Sequence, residues 1–233
     1  MKKLTLLLAV LLTAPLFVLA DDMGDDFHKH YVPGKSNLKA YNRDLNGLVG
    51  TVDFHTGRPK VFPGVNLGAS VSVFKPSHEN DISSDSYTVL PFLIAETKIP
   101  YLNVGVVARG TAVNGYRSLG GGLTYNMTVL EMLNLSFGAF YDNGRTDWYH
   151  NDHYSASAIA STNVLIFTPY IGVGYDYGKL KTRGYTHNES VSNGTPRGMV
   201  GVNISPLPLL TGFVAYTITK DSHGFTGGLG LSF

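Results

Sequence analysis

The fold is decided by an alternating stretch, Val65-Asn66-Leu67-Gly68-Ala69-Ser70-Val71-Ser72-Val73-Phe74. Its odd positions are aliphatic, and its even positions are small or polar except for Phe74. Because successive side chains of a β-strand point to opposite faces, one face of this strand is apolar and the other is mostly polar. A strand of a transmembrane barrel needs about 9–11 such residues, with lipid on its outer face and the lumen on its inner face. The stretch therefore predicts a membrane-spanning β-strand.

The same alternation recurs along the chain and predicts ten strands. They cover residues 64–74, 87–98, 101–111, 118–127, 132–142, 154–164, 168–178, 195–205, 209–219 and 224–233. Both faces of 87–98 are apolar, but Glu96 and Lys98 assign the even positions to the lumen, because a charge facing lipid costs about 2–4 kcal/mol at the bilayer centre. No Asp, Glu, Lys or Arg then faces outward within the ten segments. A soluble β-sandwich has the opposite polarity, so the pattern predicts an all-β, transmembrane antiparallel barrel of about ten strands with a short N-terminal amphipathic helix.

The composition agrees with this class and excludes others. Charged residues make up 15% of the chain, whereas a soluble domain commonly has about 25%. The balance of 18 Lys and Arg against 17 Asp and Glu excludes a nucleic-acid binder driven by net charge. The absence of cysteine excludes a disulfide scaffold and thiol-ligated metals.

The ends of the chain carry export signals. Lys2 and Lys3 precede an apolar run that ends at Val18-Leu19-Ala20, which predicts a signal peptide over residues 1–20 with cleavage near Ala20. At the other end, Phe225, Leu229, Leu231 and Phe233 alternate like the C-terminal signal that the barrel-assembly machinery of Gram-negative bacteria recognises. We therefore expect a location in the bacterial outer membrane.

The connections between the predicted strands also differ between the two ends of the barrel. Those after strands 2, 4, 6 and 8 are short, whereas 76–86, 143–153 and 179–194 are long and polar. Outer-membrane barrels have short periplasmic turns and longer extracellular loops. With an even strand count, we expect both termini on the periplasmic side.

Two segments precede the barrel, which we assign to residues 61–233. Residues 21–35 are polar and predict a mobile leader. Residues 36–60 predict a helix and linker, because Leu38, Tyr41, Leu45 and Leu48 recur at helical spacing. An eleventh strand over 49–54 is the alternative. The helix would plug the lumen, lie on the inner leaflet or close the periplasmic floor of the barrel.

Two motifs carry a resemblance to a known group of proteins. They are Asp53-Phe54-His55-Thr56-Gly57-Arg58, followed by Phe62-Pro63-Gly64-Val65, and Phe167-Thr168-Pro169-Tyr170-Ile171-Gly172-Val173-Gly174. Together they resemble a family of uncharacterised Gram-negative outer-membrane barrel proteins over about residues 36–233. The resemblance implies location and architecture, and it implies no catalytic residues.

Inward-facing charged residues form the candidate functional site. Six of them are predicted to line the lumen: Glu96, Lys98, Arg109, Asp142, Asp176 and Arg197. We expect Glu96 and Lys98 toward the periplasmic end and the other four toward the extracellular mouth. They would form either a mixed-charge constriction that selects small polar or anionic solutes or a set of ion pairs that fills the barrel.

Two histidine-containing motifs are also present. His150-Asn151-Asp152-His153 has metal-ligating and catalytic residue types, but its position predicts an ordinary exposed loop. His28 and His30 are assigned to the polar leader. No metal or cofactor site is therefore predicted.

The predicted function is that of a non-enzymatic envelope barrel, either a narrow pore for small solutes or a closed structural barrel. The alternatives are a barrel that binds or transports a small hydrophobic molecule through inward-facing Phe74, Phe140 and Phe213, and an envelope-lipid hydrolase. The predicted partners are outer-membrane lipid, lipopolysaccharide and the barrel-assembly machinery, without nucleic acid.

Overall fold

The structure is a computed structural model that describes residues 23–54, 64–83, 87–99, 101–113, 115–130, 133–207 and 209–232. The predicted signal peptide and the whole of the linker 55–60 lie outside the described residues. Ten strands form the barrel: β1 (Val65–Lys75), β2 (Thr88–Lys98), β3 (Val104–Val113), β4 (Tyr116–Leu130), β5 (Leu133–Arg145), β6 (Tyr149–Thr162), β7 (Phe167–Thr182), β8 (Ser190–Leu207), β9 (Leu210–Ile218) and β10 (His223–Ser232).

The sheet closes on itself. Each strand pairs antiparallel with its neighbours in sequence, and β1 pairs with β10 from Asn66 opposite Ser232 to Lys75 opposite His223. Closure gives every strand a paired neighbour on both sides, which is the condition for a sheet in lipid. The predicted fold class, an antiparallel ten-stranded barrel, is confirmed. The alternative of an eleventh strand over 49–54 is wrong, because Thr51–Phe54 forms a 3-10 helix.

The side chains alternate between the two faces as the sequence pattern requires. On β7, for example, Ile171 and Val173 are each 63% exposed, whereas Thr168 and Asp176 are buried. Large exposed apolar side chains form a belt on the outer surface of the barrel, which includes Leu67, Leu93, Leu119, Leu123, Phe137, Ile171, Val173, Val200, Val214 and Leu229. None of the described helices is long and apolar enough to cross a membrane.

Several strands are longer than predicted, with the largest extensions at the end where the odd-numbered strands finish. We call this the long-loop end and the opposite end the short-turn end. The segment 143–153, predicted as a long loop, belongs mainly to β5 and β6, with a connection at 146–148. The extensions carry outward charges such as Arg145, Lys179 and Lys181. The prediction ended the strands too early because it required apolar outward residues, while backbone pairing continues beyond the apolar belt.

A helix occupies the lumen. It spans Leu38–Gly50 (labelled α2 because Met23–His30 is α1) and begins at Asn37, whose side chain accepts a hydrogen bond from the Ala40 amide. Together, α2 and the 3-10 helix Thr51–Phe54 are called the plug. The plug contacts β1, β6, β7 and β8, and most of α2 is buried. Of the three placements open from the sequence, the structure has the helix inside the barrel.

The prediction of a mobile polar leader is wrong for residues 23–35. Helix α1 places Met23 and Phe27 on one buried face, and Tyr31 follows at the same spacing. The Phe27 ring lies 4.8 Å from that of Tyr149 and 5.0 Å from that of Tyr41 between centroids. The acidic residues around this short apolar face hid its helical spacing.

Helix α1 lies at the long-loop end. The His28 ring stacks on Trp148, in the β5–β6 connection, at 3.6 Å between centroids. The Gly34 amide donates to Glu189, in the β7–β8 connection, at 2.7 Å. Residues 23–37 therefore lie at the opposite end from the start of β1, contrary to the expectation of a periplasmic N-terminal segment.

On β10, the predicted assembly signal has Phe225 and Leu229 exposed on the outer surface and Leu231 half-buried. Phe233 lies outside the described residues. Recognition of these residues by the assembly machinery stays a prediction.

The placement of α1 predicts a labelling pattern on intact cells. The chain has no cysteine, so Lys29→Cys creates a single thiol on exposed Lys29, at the long-loop end. We expect a membrane-impermeant maleimide to label this variant on intact cells. A matched variant, Tyr101→Cys, carries its thiol in the exposed β2–β3 turn and should be labelled only after permeabilisation. The opposite pattern would show that the long-loop end does not face outward.

Candidate functional site

A buried network of charged side chains joins the plug to the barrel wall. It starts on neighbouring strands, where register places Arg109 of β3 opposite Gly120 of β4 and Gly120 opposite Asp142 of β5. Arg109 donates to both carboxylate oxygens of Asp142, with 2.7 Å from Nε to Oδ1. Its guanidinium also lies 4.6 Å from the centre of the Phe140 ring. This bidentate pairing holds the guanidinium in one orientation.

His153 continues the network along the wall. It stands opposite Asp142 on the adjacent strand β6, and its Nδ1 lies 3.1 Å from Asp142 Oδ2. Its Nε2 lies 3.0 Å from Oδ1 of Asp176 on β7. Asp176 in turn has Oδ2 3.2 Å from Nε of Arg197 on β8. Barrel register therefore brings together side chains from five strands, β3 and β5 to β8, with Gly120 of β4 between the first two.

Asp53 connects the plug to this network. Its Oδ1 accepts from Nη1 of Arg109, and its Oδ2 accepts from Nη2 of Arg197 at 2.7 Å. All three side chains are at most 1% exposed. One carboxylate of the plug therefore bridges two guanidiniums that stand on different sides of the lumen.

The charges of the network are matched in number. Three carboxylates (Asp53, Asp142 and Asp176) face two guanidiniums and one imidazole, so the total charge is zero when His153 is protonated at both nitrogens. Burying an unpaired charge costs several kcal/mol, and a buried pair is stable only when its geometry and hydrogen bonds are complete. With the plug removed, the two arginines and the protonated His153 would face only two wall carboxylates.

Glycines create the space that the network needs. A Cβ at position 50 of the plug would overlap the Arg197 guanidinium and the Asp176 carboxylate, and a Cβ at position 120 would overlap Asp142. Gly50 lowers the intrinsic stability of α2 by about 1 kcal/mol relative to alanine. Its presence allows the helix backbone to approach the charged side chains of the wall.

A second set of polar contacts holds the part of the plug that is nearer the long-loop end. The Asp44 carboxylate accepts from the Ser77 amide and hydroxyl at 2.9 Å each, from Asn80 at 2.9 Å, and from the Ser222 hydroxyl at 3.0 Å. Arg43 pairs with Glu79 at 3.1 Å and Asp221 at 3.3 Å. The connections β1–β2 and β9–β10 therefore close over the plug at the long-loop end.

The structure brings together four of the six predicted lumen residues: Arg109, Asp142, Asp176 and Arg197. Glu96 and Lys98 are not part of this network. Glu96 is buried on the part of β2 nearer the short-turn end, opposite Val107 of β3, and Lys98 is half-buried at the end of the strand.

Sequence reasoning missed two members of the network. The sequence pattern predicts an exposed loop at His153, but this residue faces the lumen from β6 and is fully buried. The signal that indicates this is its odd parity, which it shares with Ser155 and Ser157. For Asp53, the sequence predicts no role beyond its place in the motif that begins with this residue. Its charge at the end of an apolar helical stripe gives no indication of which wall residues it meets.

The other residues considered from the sequence have different surroundings. Phe74 is buried against the plug beside Gly47, and Phe140 packs beneath Arg109, whereas Phe213 is half-buried on β9. His150 and Asp152 face outward, 3.6 Å apart. Within the described ranges, no group of three or more His, Asp or Glu residues has the arrangement of a metal site.

The network predicts that Asp53→Asn loosens the plug. The change leaves one buried cation without its counter-charge, and breaking a buried pair in this way costs about 3–5 kcal/mol. We expect hydrogen exchange to show a matching loss of protection at the α2 amides. Asp147→Asn, which removes a carboxylate from an exposed turn, is the control and should leave exchange unchanged. Equal protection in both variants would contradict the bridging role of Asp53.

Gly50→Ala is expected to destabilise the plug although alanine favours helices. The helix propensity gain of about 1 kcal/mol is outweighed because the new methyl group overlaps Arg197 and Asp176. The melting temperature and the protease resistance of α2 should both fall. Lys39→Ala, at an exposed position of the same helix, should change neither. A more stable Gly50→Ala protein would rule out this close approach.

Comparisons with known proteins give similarity in structure only. No protein-family model matches the chain, and no curated protein matches it. Solved structures similar to it include the N-terminal β-barrel domain of Pseudomonas aeruginosa OprF, with 11% identity over 73% of this chain and 97% of that chain and a TM-score of 0.41. The translocator domain of the autotransporter NalP from Neisseria meningitidis has 13% identity over 85% and 98%, with a TM-score of 0.45. Ail of Yersinia pestis has 15% identity over 73% and 97%, with a TM-score of 0.36. This chain differs from each of them at most aligned positions.

Proposed function

We propose that this chain is a non-enzymatic outer-membrane barrel that its own N-terminal segment keeps closed, and that it becomes a narrow pore for small polar or charged solutes when the plug leaves the lumen. The observation that carries the proposal is the bridge from Asp53 of the plug to Arg109 and Arg197 of the wall. This bridge lies in the lumen, where a conducting barrel would need an open path.

The outer surface supports a membrane location. Its apolar side chains form an exposed belt, and a row of tyrosines follows on adjacent strands, with Tyr141 opposite Tyr154 and Tyr154 opposite Tyr177. Aromatic rows of this kind mark the membrane–water interface in outer-membrane barrels. Lys179 and Lys181 lie beyond this row on β7, where the surface is solvated. Export through residues 1–20 and membership of the resembled family are part of this proposal.

The wall between the network and the short-turn end favours polar solutes over a hydrophobic ligand. Its inward side chains are mostly small and polar and include Asn66, Thr124, Asn126, Asn134, Ser136, Ser161, Thr168 and Asn203. Two of the three phenylalanines considered for a hydrophobic ligand already pack against other groups, Phe74 against the plug and Phe140 against Arg109. These two phenylalanines are therefore not available to line a site for a hydrophobic ligand.

Conductance in planar lipid bilayers tests the proposal on the full chain. We expect the wild-type protein to be electrically silent. Asp53→Lys places a third cation between two arginines, and two like charges 4 Å apart repel by about 4 kcal/mol at an effective dielectric constant of about 20. We expect this variant to show single-channel openings.

The control is Asp147→Lys, which makes the same change of charge in an exposed turn at the long-loop end. This variant should stay silent. Heat-modifiable migration on gels checks that each variant is folded. Steady conductance of the wild-type protein would overturn the closed state. Silence of Asp53→Lys with a protease-accessible plug would overturn the pore and leave a closed structural barrel.

A further inference from the structure

A pocket of about 700 Å³ opens at the long-loop end, away from the buried network. It lies where the β3–β4, β5–β6 and β7–β8 connections meet. Three arginines line it, Arg117 at the start of β4, Arg145 at the end of β5 and Arg183 after β7, together with one carboxylate, Asp147. Its volume falls in the range of small-molecule sites, about 300–1,000 Å³.

Strand register forces two of these arginines together. Arg117 stands directly opposite Arg145 in the β4–β5 ladder, and both side chains are exposed on the outer face. Residues in such positions have Cβ atoms about 4.5–5.5 Å apart, and like charges there are destabilising.

The third arginine is positioned by the connections. The Arg183 amide donates to the Trp148 carbonyl at 2.7 Å, which ties the β7–β8 connection to the β5–β6 turn. The turn is itself ordered, because the Thr146 hydroxyl accepts from the Trp148 amide at 3.1 Å and the Tyr149 amide at 3.0 Å. The pocket is therefore built from ordered backbone.

The three guanidiniums lack counter-charges within the described part of the chain. No carboxylate there lies within 4 Å of them, in contrast to Arg43, Arg109 and Arg197, each of which has two. Asp152, another carboxylate on this outer face, is engaged by Tyr141 at 2.8 Å and Asn143 at 2.9 Å. With Asp147 included, the pocket carries two excess positive charges.

We propose that this pocket binds a phosphate group carried on a sugar. A phosphate dianion matches the two excess charges, and its oxygens accept hydrogen bonds from several guanidinium forks at once. The pocket is larger than a phosphate ion requires, which leaves room for the sugar. The pocket lies beyond the row of tyrosines, because Arg145 is four residues after Tyr141 on the same face of β5, about 13 Å along the strand.

Two sources of this chemistry reach the pocket. One is a soluble sugar phosphate outside the cell, and the other is the phosphorylated sugar headgroup of a lipid in the outer leaflet. The second source rests on the proposed membrane location, and the first does not. Neither depends on the plug, so the binding test and the conductance test fail independently.

The soluble arm uses the full chain in detergent and isothermal titration with glucose 1-phosphate, with glucose as the uncharged comparison. We expect glucose 1-phosphate alone to bind and Arg145→Gln to weaken binding about tenfold or more, because it removes a charge-assisted pair. Lys220→Gln removes an exposed cation from the β9–β10 connection at the same end of the barrel and should bind like the wild type.

The membrane arm measures melting temperature in vesicles that contain lipopolysaccharide, either intact or enzymatically dephosphorylated. A rise with the intact form that is lost in Arg145→Gln supports the lipid source. Without ligand, Arg145→Gln should melt no lower than the wild type, because it relieves repulsion from Arg117; a lower value would indicate a structural role instead. If neither probe distinguishes Arg145→Gln from Lys220→Gln, the proposed site is wrong.

Discussion

The position of the plug in the lumen depends on the counter-charge that Asp53 supplies to two arginines of the wall. Arg109 of β3 and Arg197 of β8 are buried, so water does not stabilise their charge. Each has one carboxylate on the wall and shares the third. The plug is therefore part of the electrostatic balance of the barrel interior, and its removal changes the wall as well as the lumen.

The barrel was predictable because hydrocarbon acts on every second residue of every strand. A full charge on the lipid face is costly, so the absence of outward charge in ten segments indicated both the strands and their register. The constraint ends where the hydrocarbon ends. For that reason the alternation does not show that β5 extends to Arg145 or that β6 begins at Tyr149, and it predicts a loop at His153.

The contents of the lumen were only partly predictable. Parity alone identified Arg109, Asp142, Asp176 and Arg197 as inward-facing. Which of these side chains contact one another depends on the shear of the barrel and on the plug. Neither of these produces a periodic pattern in the sequence. Asp53 lies in a short 3-10 helix, and α1 is an amphipathic helix of only eight residues. Such segments are ordered by packing, as with Phe27 between Tyr41 and Tyr149, and their own sequence carries a weak signal.

The direction of the plug constrains the order of assembly. Residues 23–37 lie at one mouth of the barrel, the plug lies inside the lumen, and β1 begins at the other mouth. A seam already formed between β1 and β10 would require a polar, charged segment to be threaded end-on through a narrow cylinder. This step is avoided if the plug enters the barrel from the side before β1 pairs with β10. The pairing of the first and last strands is thus expected to be the final event of folding. The sheet would then close around a plug that is already in place.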